Sequence, residues 1–164
     1  MPNRYTFSIP PIKSLLREEM TGGLWLDPFG GLYSPATIRN DADEAIQADF
    51  HMDGLGFLKS RPDNSADGIL FDPPYSVEQA LRSYKPKHKG TAGREEYQAR
   101  CKDEISRVIK PGGKAISFGW NSGGIGANRG FEIVRILLVC HGAAHYDTIV
   151  TVDTKKSPVP MSTP

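Results

Sequence analysis

The feature that most constrains this chain is a short apolar run that ends in an acidic residue and two prolines. Gly68-Ile69-Leu70-Phe71 is typical of a buried strand, and Asp72-Pro73-Pro74-Tyr75 follows it directly. Because proline has no N–H for the hydrogen-bond ladder of a central strand, the chain must leave the sheet here. Ligands of open α/β sheets bind at the carboxyl ends of the strands, so this turn predicts a ligand site.

The turn presents two hydrogen-bond acceptors beside an aromatic ring. The prolines fix φ, so the Asp72 carboxylate, the Pro73 carbonyl and the Tyr75 ring have little freedom. A planar amino group stacked on the ring could donate hydrogen bonds to both acceptors. A second interpretation stays open, in which this is an Asp-Pro turn of the kind that follows buried strands in many α/β proteins.

The tetrapeptide Asp72-Pro73-Pro74-Tyr75 resembles the catalytic motif of S-adenosylmethionine-dependent DNA methyltransferases that modify exocyclic amino groups, usually of adenine. The resemblance implies a Rossmann-like class I methyltransferase fold, an α/β fold with a mostly parallel sheet and a C-terminal antiparallel hairpin. It also implies that Asp72, Pro73, Pro74 and Tyr75 are catalytic, and that the target base is flipped out of the duplex to stack on Tyr75.

A second Asp-Pro loop stands 45 residues earlier, where Gly23-Leu24-Trp25-Leu26 ends in Asp27-Pro28-Phe29-Gly30-Gly31. Small residues after a strand let the backbone approach a ligand closely, and Asp27 can pair with an ammonium group. The loop resembles the Asp-Pro-Phe-x-Gly cofactor loop of the same family. This resemblance implies that S-adenosylmethionine is the cofactor, bound by Asp27, Pro28, Phe29 and Gly30.

Further cofactor contacts are expected from acidic residues downstream of this loop. Residues 36–41 predict a second strand that ends in Asn40 and Asp41, where a carboxylate would accept hydrogen bonds from both ribose hydroxyls. A surface acidic cluster of Asp41, Asp43 and Glu44 at a helix start is the alternative. The resemblance adds Asp53, near the adenine amino group of the cofactor, and it also implies that Asp72 contributes to cofactor binding.

The N-terminal segment gives two more candidates. In the family, a segment before the first strand often covers the methionine part of the cofactor, which implies this role for Phe7 and Pro11. An N-terminal arm that only packs on the sheet is the other interpretation.

The connection after the first strand departs from the family pattern. Adjacent parallel strands normally need a dozen or more residues between them, with a helix, but only about seven separate Phe29 from Thr37. The first helix is therefore predicted to be missing or reduced to a turn.

The remaining pattern predicts one methyltransferase domain over residues 1–156 and a flexible tail over 157–164. Pro10 and Pro11 predict a non-helical start, followed by a helix over 13–20 with Ser14 as its N-cap. Helices are also predicted over 53–60, 77–84, 94–109 and 130–134. The third of these is stopped by Pro111-Gly112-Gly113 ahead of a strand over 114–118, and strands over 135–140 and 148–153 form the hairpin.

The charge distribution is consistent with a nucleic-acid partner. Residues 82–114 carry ten Lys/Arg against four Asp/Glu, whereas residues 1–81 carry six against twelve. A basic stretch beside a base pocket would supply phosphate contacts, although a solvated loop would have the same composition. Trp120 taken by itself is expected to pack in the core, and a place in the wall of a base or cofactor pocket is the alternative. The DNA-binding candidates are Tyr75, Arg82, Lys85, Lys87, Lys89, Arg94, Trp120 and Asn121.

Composition excludes several other classes. The 164 residues contain no run near the ~20 apolar residues of a membrane helix, so no membrane role is expected. Cys101 and Cys140 are too few for a disulfide framework, which favours a reducing cytoplasm. His141 and His145 lack a third ligand, so no metal is expected.

Sequence-specific members of the family usually carry an added target-recognition domain, and the only candidate for that role in this sequence is the basic stretch around residues 82–94. Relaxed specificity, a specificity partner or a homo-oligomer would each fit, and a compact enzyme would suit a phage or a mobile element in a prokaryotic cell. Two other functions stay open: methyl transfer to RNA or to a protein amide, and a cofactor-holding subunit without activity.

Overall fold

The structure is a computed structural model that describes residues 5–74, 91–142 and 146–157. Its framework is a six-stranded sheet with strand order β2-β1-β3-β4-β6-β5. Strands β1 to β4 are parallel, and β6 pairs antiparallel with both β4 and β5. The predicted α/β fold with a C-terminal antiparallel hairpin is thereby confirmed. The strands are Trp25–Asp27 (β1), Ile38–Arg39 (β2), Ala66–Phe71 (β3), Ile109–Gly119 (β4), Phe131–Val139 (β5) and Thr148–Lys155 (β6), and the helices are Pro10–Glu19 (α1), Gly54–Lys59 (α2) and Thr91–Val108 (α3).

The strand order reverses between β1 and β3. From β1 the chain moves outward to β2 and then returns to β3 on the other side of β1, with Trp25 in register with Gly68. Such a reversal opens a crevice at the carboxyl ends of the two central strands. Asp27 is the last residue of β1 and Asp72 directly follows β3, so the crevice lies between the two Asp-Pro loops.

The prediction of a missing first helix is confirmed. Residues 28–37 are all described, and they form turns and extended backbone without a helix. Asn40, directly after β2, ties the two ends of this connection together: its N–H donates to the Asp27 carbonyl at the end of β1, and its carbonyl accepts from the Gly30 N–H, both at 2.8 Å.

The sheet is buried on both faces. On one face Ile69 and Phe71 pack with residues of α2 and α3, and on the other Leu70 and Ile116 pack under α1. The alternation follows from the period of two in strand side chains. At the far edge, β5 leaves large apolar side chains exposed, among them Val134, Ile136 and Leu138.

Three predicted elements are wrong. Helix α1 begins at Pro10 and not after the prolines, because the first turn of a helix needs no N–H partner, and Ser14 lies inside it. The Pro111-Gly112-Gly113 stretch lies inside β4, since α3 already ends at Val108. Residues 131–134 begin strand β5, and the predicted helix is replaced by a 3₁₀ turn, Ala127–Arg129, that Gly130 ends with a φ of 81°.

Two further predicted helices are confirmed, and one predicted helix and most of the predicted tail lie outside the described residues. Helix α2 matches the helix predicted over 53–60, and α3 matches the one predicted over 94–109 to within three residues. The predicted helix over 77–84 and residues 158–164 of the predicted tail lie outside the described residues. In the described part of the chain, no helix is both long and apolar enough to cross a bilayer.

Candidate active site

Asp72 stands where the chain leaves β3, half-buried, and the Thr6 side chain hydrogen-bonds to its carboxyl group. Burial raises the pKa of Asp72 well above its usual value. The hydrogen bond from Thr6 opposes this rise, and the negative charge of Asp27 adds to it. The two central strands thus bring their terminal carboxyl groups within electrostatic reach of each other.

Asp27 is fully buried at the end of β1. Its Oδ1 accepts a hydrogen bond from the Phe29 N–H at 2.9 Å, and its Oδ2 accepts one from the Ser34 hydroxyl at 2.5 Å. Burial raises the pKa of Asp27 to about 7 despite these two hydrogen bonds, and the nearby charge of Asp41 contributes to the rise. Asp27 therefore anchors its own loop and also carries a proton over much of the acidic range.

Asn40 and Asp41 hold the loop after β1 in place. Asn40 is fully buried; its Nδ2 donates to the Pro28 and Met52 carbonyls, and its Oδ1 accepts from the Met52 N–H, each at 2.9 Å. Asp41 accepts from the Gly31 N–H at 3.1 Å. Because Asp41 is buried and no helix begins there, a surface acidic cluster does not describe it.

Asp53 caps α2 and joins it to α3. Its carboxylate accepts hydrogen bonds from the Gly56 N–H at 3.0 Å and from the Tyr97 hydroxyl at 2.7 Å. Phe29, buried beside it, packs against Tyr97 and Phe71 with ring centroids 6.5 and 6.0 Å apart. Tyr97 thus contacts both Phe29 of the loop after β1 and Asp53 at the start of α2.

The N-terminal segment reaches the site through Thr6. Phe7 is buried, with its ring centroid 5.4 Å from that of Phe118, whereas Pro11 is exposed on the first turn of α1. The segment therefore both covers the Asp72 carboxyl group and packs on the sheet.

The nucleic-acid candidates fall into two groups. Trp120 is 44% exposed at the end of β4, its ring centroid 6.4 Å from that of Tyr146, so core packing is wrong for it. Asn121 is exposed beside it and accepts a hydrogen bond from the Gly123 N–H at 3.0 Å. Five other candidates lie outside the described residues: Tyr75, Arg82, Lys85, Lys87 and Lys89. The backbone of Arg94 is described as part of α3, but its side chain is not.

Sequence reasoning missed Thr6, Ser34 and Tyr97. Each donates a hydrogen bond to a predicted site carboxylate. A single hydroxyl in a loop or helix has no distinctive spacing, so no pattern could have indicated them. Only the position of Thr6 and Ser34 in segments already assigned to the site gave a weak signal.

The chemistry of the crevice suits a cationic ligand with several hydrogen-bond donors. Three strand ends supply carboxyl groups, those of Asp27, Asp41 and Asp72, and among the described residues no ion pair involves any of them. A bound positive charge would lower the pKa values that burial has raised.

The described residues form no cluster of His, Cys, Asp or Glu that could hold a metal ion. His141 makes a 2.9 Å contact with the Thr148 hydroxyl through Nε2, and His145 lies outside the described residues.

Comparison with known proteins identifies the fold. No family model and no curated protein matches the chain. The N-methyltransferase NodS from Bradyrhizobium japonicum WM9 superimposes with a TM-score of 0.59 and 13% identity, over 92% of this chain and 97% of that one. The 1,6-didemethyltoxoflavin-N1-methyltransferase of Burkholderia thailandensis, with 1,6-didemethyltoxoflavin and S-adenosylhomocysteine bound, superimposes with a TM-score of 0.59 and 12% identity. The superposition covers 90% of this chain and 77% of that one.

TrmN from Thermus thermophilus gives a TM-score of 0.54 at 19% identity, over 89% of this chain and 48% of that one. The structure of a putative class I S-adenosylmethionine-dependent methyltransferase from Listeria monocytogenes superimposes over 100% of this chain and 65% of that one, with a TM-score of 0.56 and 15% identity. The chain has the Rossmann-like class I methyltransferase fold.

Proposed function

We propose that this protein transfers a methyl group from S-adenosylmethionine to the exocyclic amino group of adenine in DNA. The observation that carries the proposal is the position of Asp72-Pro73 at the carboxyl end of β3, across the strand reversal from Asp27. The motif resemblance supplies the substrate class. Support for transfer to nitrogen comes from two of the similar structures, which are named as N-methyltransferases.

S-adenosylmethionine fits the acceptor-rich crevice. It carries an ammonium group, a positively charged sulfur and two ribose hydroxyls, and it supplies an electrophilic methyl group when bound. We assign Asp27 to the ammonium group, Asp41 to the ribose and Asp53 to the adenine side of the crevice. Binding then requires Ser34 and the Gly31 N–H to share Asp27 and Asp41 with the ligand, because they hold these carboxylates now.

Asp72 acts on the substrate amine. The lone pair of an exocyclic amine is delocalised into the ring, so the nitrogen is a poor nucleophile. Hydrogen bonds from the amine to the Asp72 carboxylate and the Pro73 carbonyl favour a pyramidal nitrogen with a localised lone pair, so positioning and electrostatics carry the catalysis. The raised pKa of Asp72 also suits it to accept the proton that the nitrogen loses after transfer.

The substrate base must be unpaired to reach Asp72. A base inside a duplex cannot enter a crevice at the sheet edge, so it is flipped out or already single-stranded. In this proposal Tyr75 stacks on the base, a platform worth about 1–3 kcal/mol.

The test compares Asp→Asn substitutions at two residues that flank strand β3, one after its carboxyl end and one before its amino end. Asp72→Asn keeps the shape but weakens the acceptor, so we expect at most a trace of methyl transfer, with cofactor affinity within a few-fold of wild type. Asp63→Asn is the control, because Asp63 precedes the amino end of β3, away from Asp72, and forms an ion pair with Arg107. The readout is methylated nucleosides identified by mass spectrometry after digestion of treated DNA.

The outcomes separate the alternatives. Wild-type rates in Asp72→Asn would contradict the catalytic assignment. Label from wild-type protein in RNA or in a protein amide alone would replace the substrate class. Binding of S-adenosylmethionine without transfer to any acceptor would favour a cofactor-holding subunit.

A further inference from the structure

A groove of about 380 Å³ runs along the sheet face beside α1, between this helix and the connection from β1 to β2. It exists because that connection has no helix to cover the face. Its lining includes Gly22 and Gly23, which precede the amino end of β1, and Phe7 and Pro35, which follow Thr6 and Ser34 beside the carboxyl ends of β3 and β1.

The Phe7 end of the groove adjoins the candidate active site on both walls. Phe7 follows Thr6, whose side chain hydrogen-bonds to Asp72. Pro35 follows Ser34, whose hydroxyl donates to Asp27. A strand that leaves a nucleotide held at Asp72 can therefore enter the groove directly.

The charge of the groove is locally positive although the N-terminal half of the chain is acidic. Among the described residues, the eleven that line it include Lys13 and Arg17 and no carboxylate. Both cations are exposed, and no ion pair of the described residues involves them. The neighbouring acids Glu18 and Glu19 are neutralised by Arg135 and Lys114, at 2.7 to 3.1 Å.

The groove also offers an aromatic surface opposite the cations. Tyr33 is 51% exposed on the β1–β2 connection, and Trp25 lies buried in the floor. Lys13 and Arg17 are one helical turn apart, about 6 Å along the axis of α1, which is close to the spacing of successive phosphates in an extended strand. Cations along one wall and an aromatic ring on the other are the features that bind single-stranded nucleic acid.

We propose that this groove binds the single-stranded DNA next to the target nucleotide, with phosphates on Lys13 and Arg17 and a base stacked on Tyr33. The proposal rests on the proposed function, because the target nucleotide is the one held at Asp72. The groove proposal uses none of the residues of the basic stretch predicted to contact DNA over residues 82–94. A second copy of the chain fits less well, since an acid-free groove with two cations matches a polyanion.

The test measures binding of a fluorescent single-stranded DNA oligonucleotide by anisotropy over a range of salt concentrations, without cofactor. The variant Lys13→Gln/Arg17→Gln should bind more weakly and lower the slope of log affinity against log salt by about 1.4, the value for two single-strand phosphate contacts. Lys59→Gln/Lys156→Gln removes two exposed lysines outside the groove and should leave the slope unchanged. Tyr33→Ala should weaken binding about tenfold, and Tyr33→Phe should restore it.

An oligonucleotide with one photoreactive base gives an independent readout, and we expect cross-links to the peptide that contains Tyr33. An unchanged slope in Lys13→Gln/Arg17→Gln, or cross-links only elsewhere, would overturn the groove proposal. The binding and cross-linking measurements need no methyl transfer, so a failure of the catalytic assignment would leave both of them unchanged and the two results stay distinguishable. Tighter binding of RNA than of DNA, or loss of self-association in the groove variant, would also reject the proposed occupant.

Discussion

Asp27 is the residue whose shifted pKa gives the clearest prediction of how stability depends on pH. Its folded-state pKa of about 7 lies above its ordinary value of 3.8, mainly because the carboxyl group is buried. Between these pH values the folded state holds a proton that the unfolded state has lost. The free energy of unfolding should therefore fall as pH rises through this window, by at most about 4 kcal/mol, and then level off above pH 7.

Replacing Asp27 with Asn should remove most of this slope and stabilise the ligand-free protein above pH 7. The Phe29 N–H keeps an acceptor in the amide oxygen, and the Ser34 hydroxyl can accept from the new amide. Urea unfolding of both proteins at several pH values from 4.5 to 8 measures the difference. Parallel pH curves would show that Asp27 does not ionise in this range.

For individual residues, the sequence identifies the carboxylates of the candidate site but not the hydroxyl groups that hydrogen-bond to them. Asp27 and Asp72 stand out because each follows an apolar run and precedes proline. The hydroxyls of Thr6 and Tyr97 reach Asp72 and Asp53 only through tertiary structure, across spans of chain with no periodic pattern. Burial, which sets the pKa of Asp27, is likewise a property of the folded chain.

Strand β3 depends on a glycine at its centre. A Cβ atom at Gly68 would overlap the six-membered ring of Trp25, which lies across β3 from the neighbouring strand. Gly68→Ala should therefore lower the free energy of unfolding by more than about 2 kcal/mol, because Trp25 or the β1–β3 pairing must shift. The change would also move Asp27 and Asp72, which end these two strands.

Gly56→Ala is the matched control for Gly68→Ala. Gly56 lies in α2, where an added Cβ would be 3.8 Å from its nearest neighbour, and alanine favours helix by about 1 kcal/mol. Thermal and urea unfolding should thus show changes of opposite sign in the two variants. Equal stability of Gly68→Ala and wild type would mean that Trp25 repacks without cost.

Sequence pattern predicts elements well where periodicity is strong and poorly where glycine and proline are used unusually. The apolar strand β3 and the Asp53-capped helix α2 follow their patterns. Helix α1 begins on two prolines, and β4 runs through Pro111-Gly112-Gly113, where Gly112 has a φ of 80°. The two prolines fit the first turn of α1, which needs no N–H partners, and residues 111–113 lie where the β3–β4 register shifts between Ala66 and Gly68.

Across the six-stranded sheet, the exposure of the side chains rises from the inner strand β4 to the edge strand β5. Ile116 on β4 is fully buried, between Leu70 of β3 and Val152 of β6 in the strand register. Ile136 on the edge strand β5 is 54% exposed. The two residues have the same side chain and both lie in strands, so comparing them contrasts a buried position in an inner strand with an exposed position in the edge strand.

Ile116→Ala should lower the free energy of unfolding by about 2–5 kcal/mol, since it removes buried methyl groups and leaves a cavity. Ile136→Ala loses similar strand propensity but little burial, so we expect less than about 1 kcal/mol. Urea denaturation with a shared m-value measures both, because a changed m-value would indicate a different unfolded state. Similar losses at the two positions would require the outer face of β5 to be covered in solution, and sedimentation of wild type over a concentration series would then detect the complex that covers it.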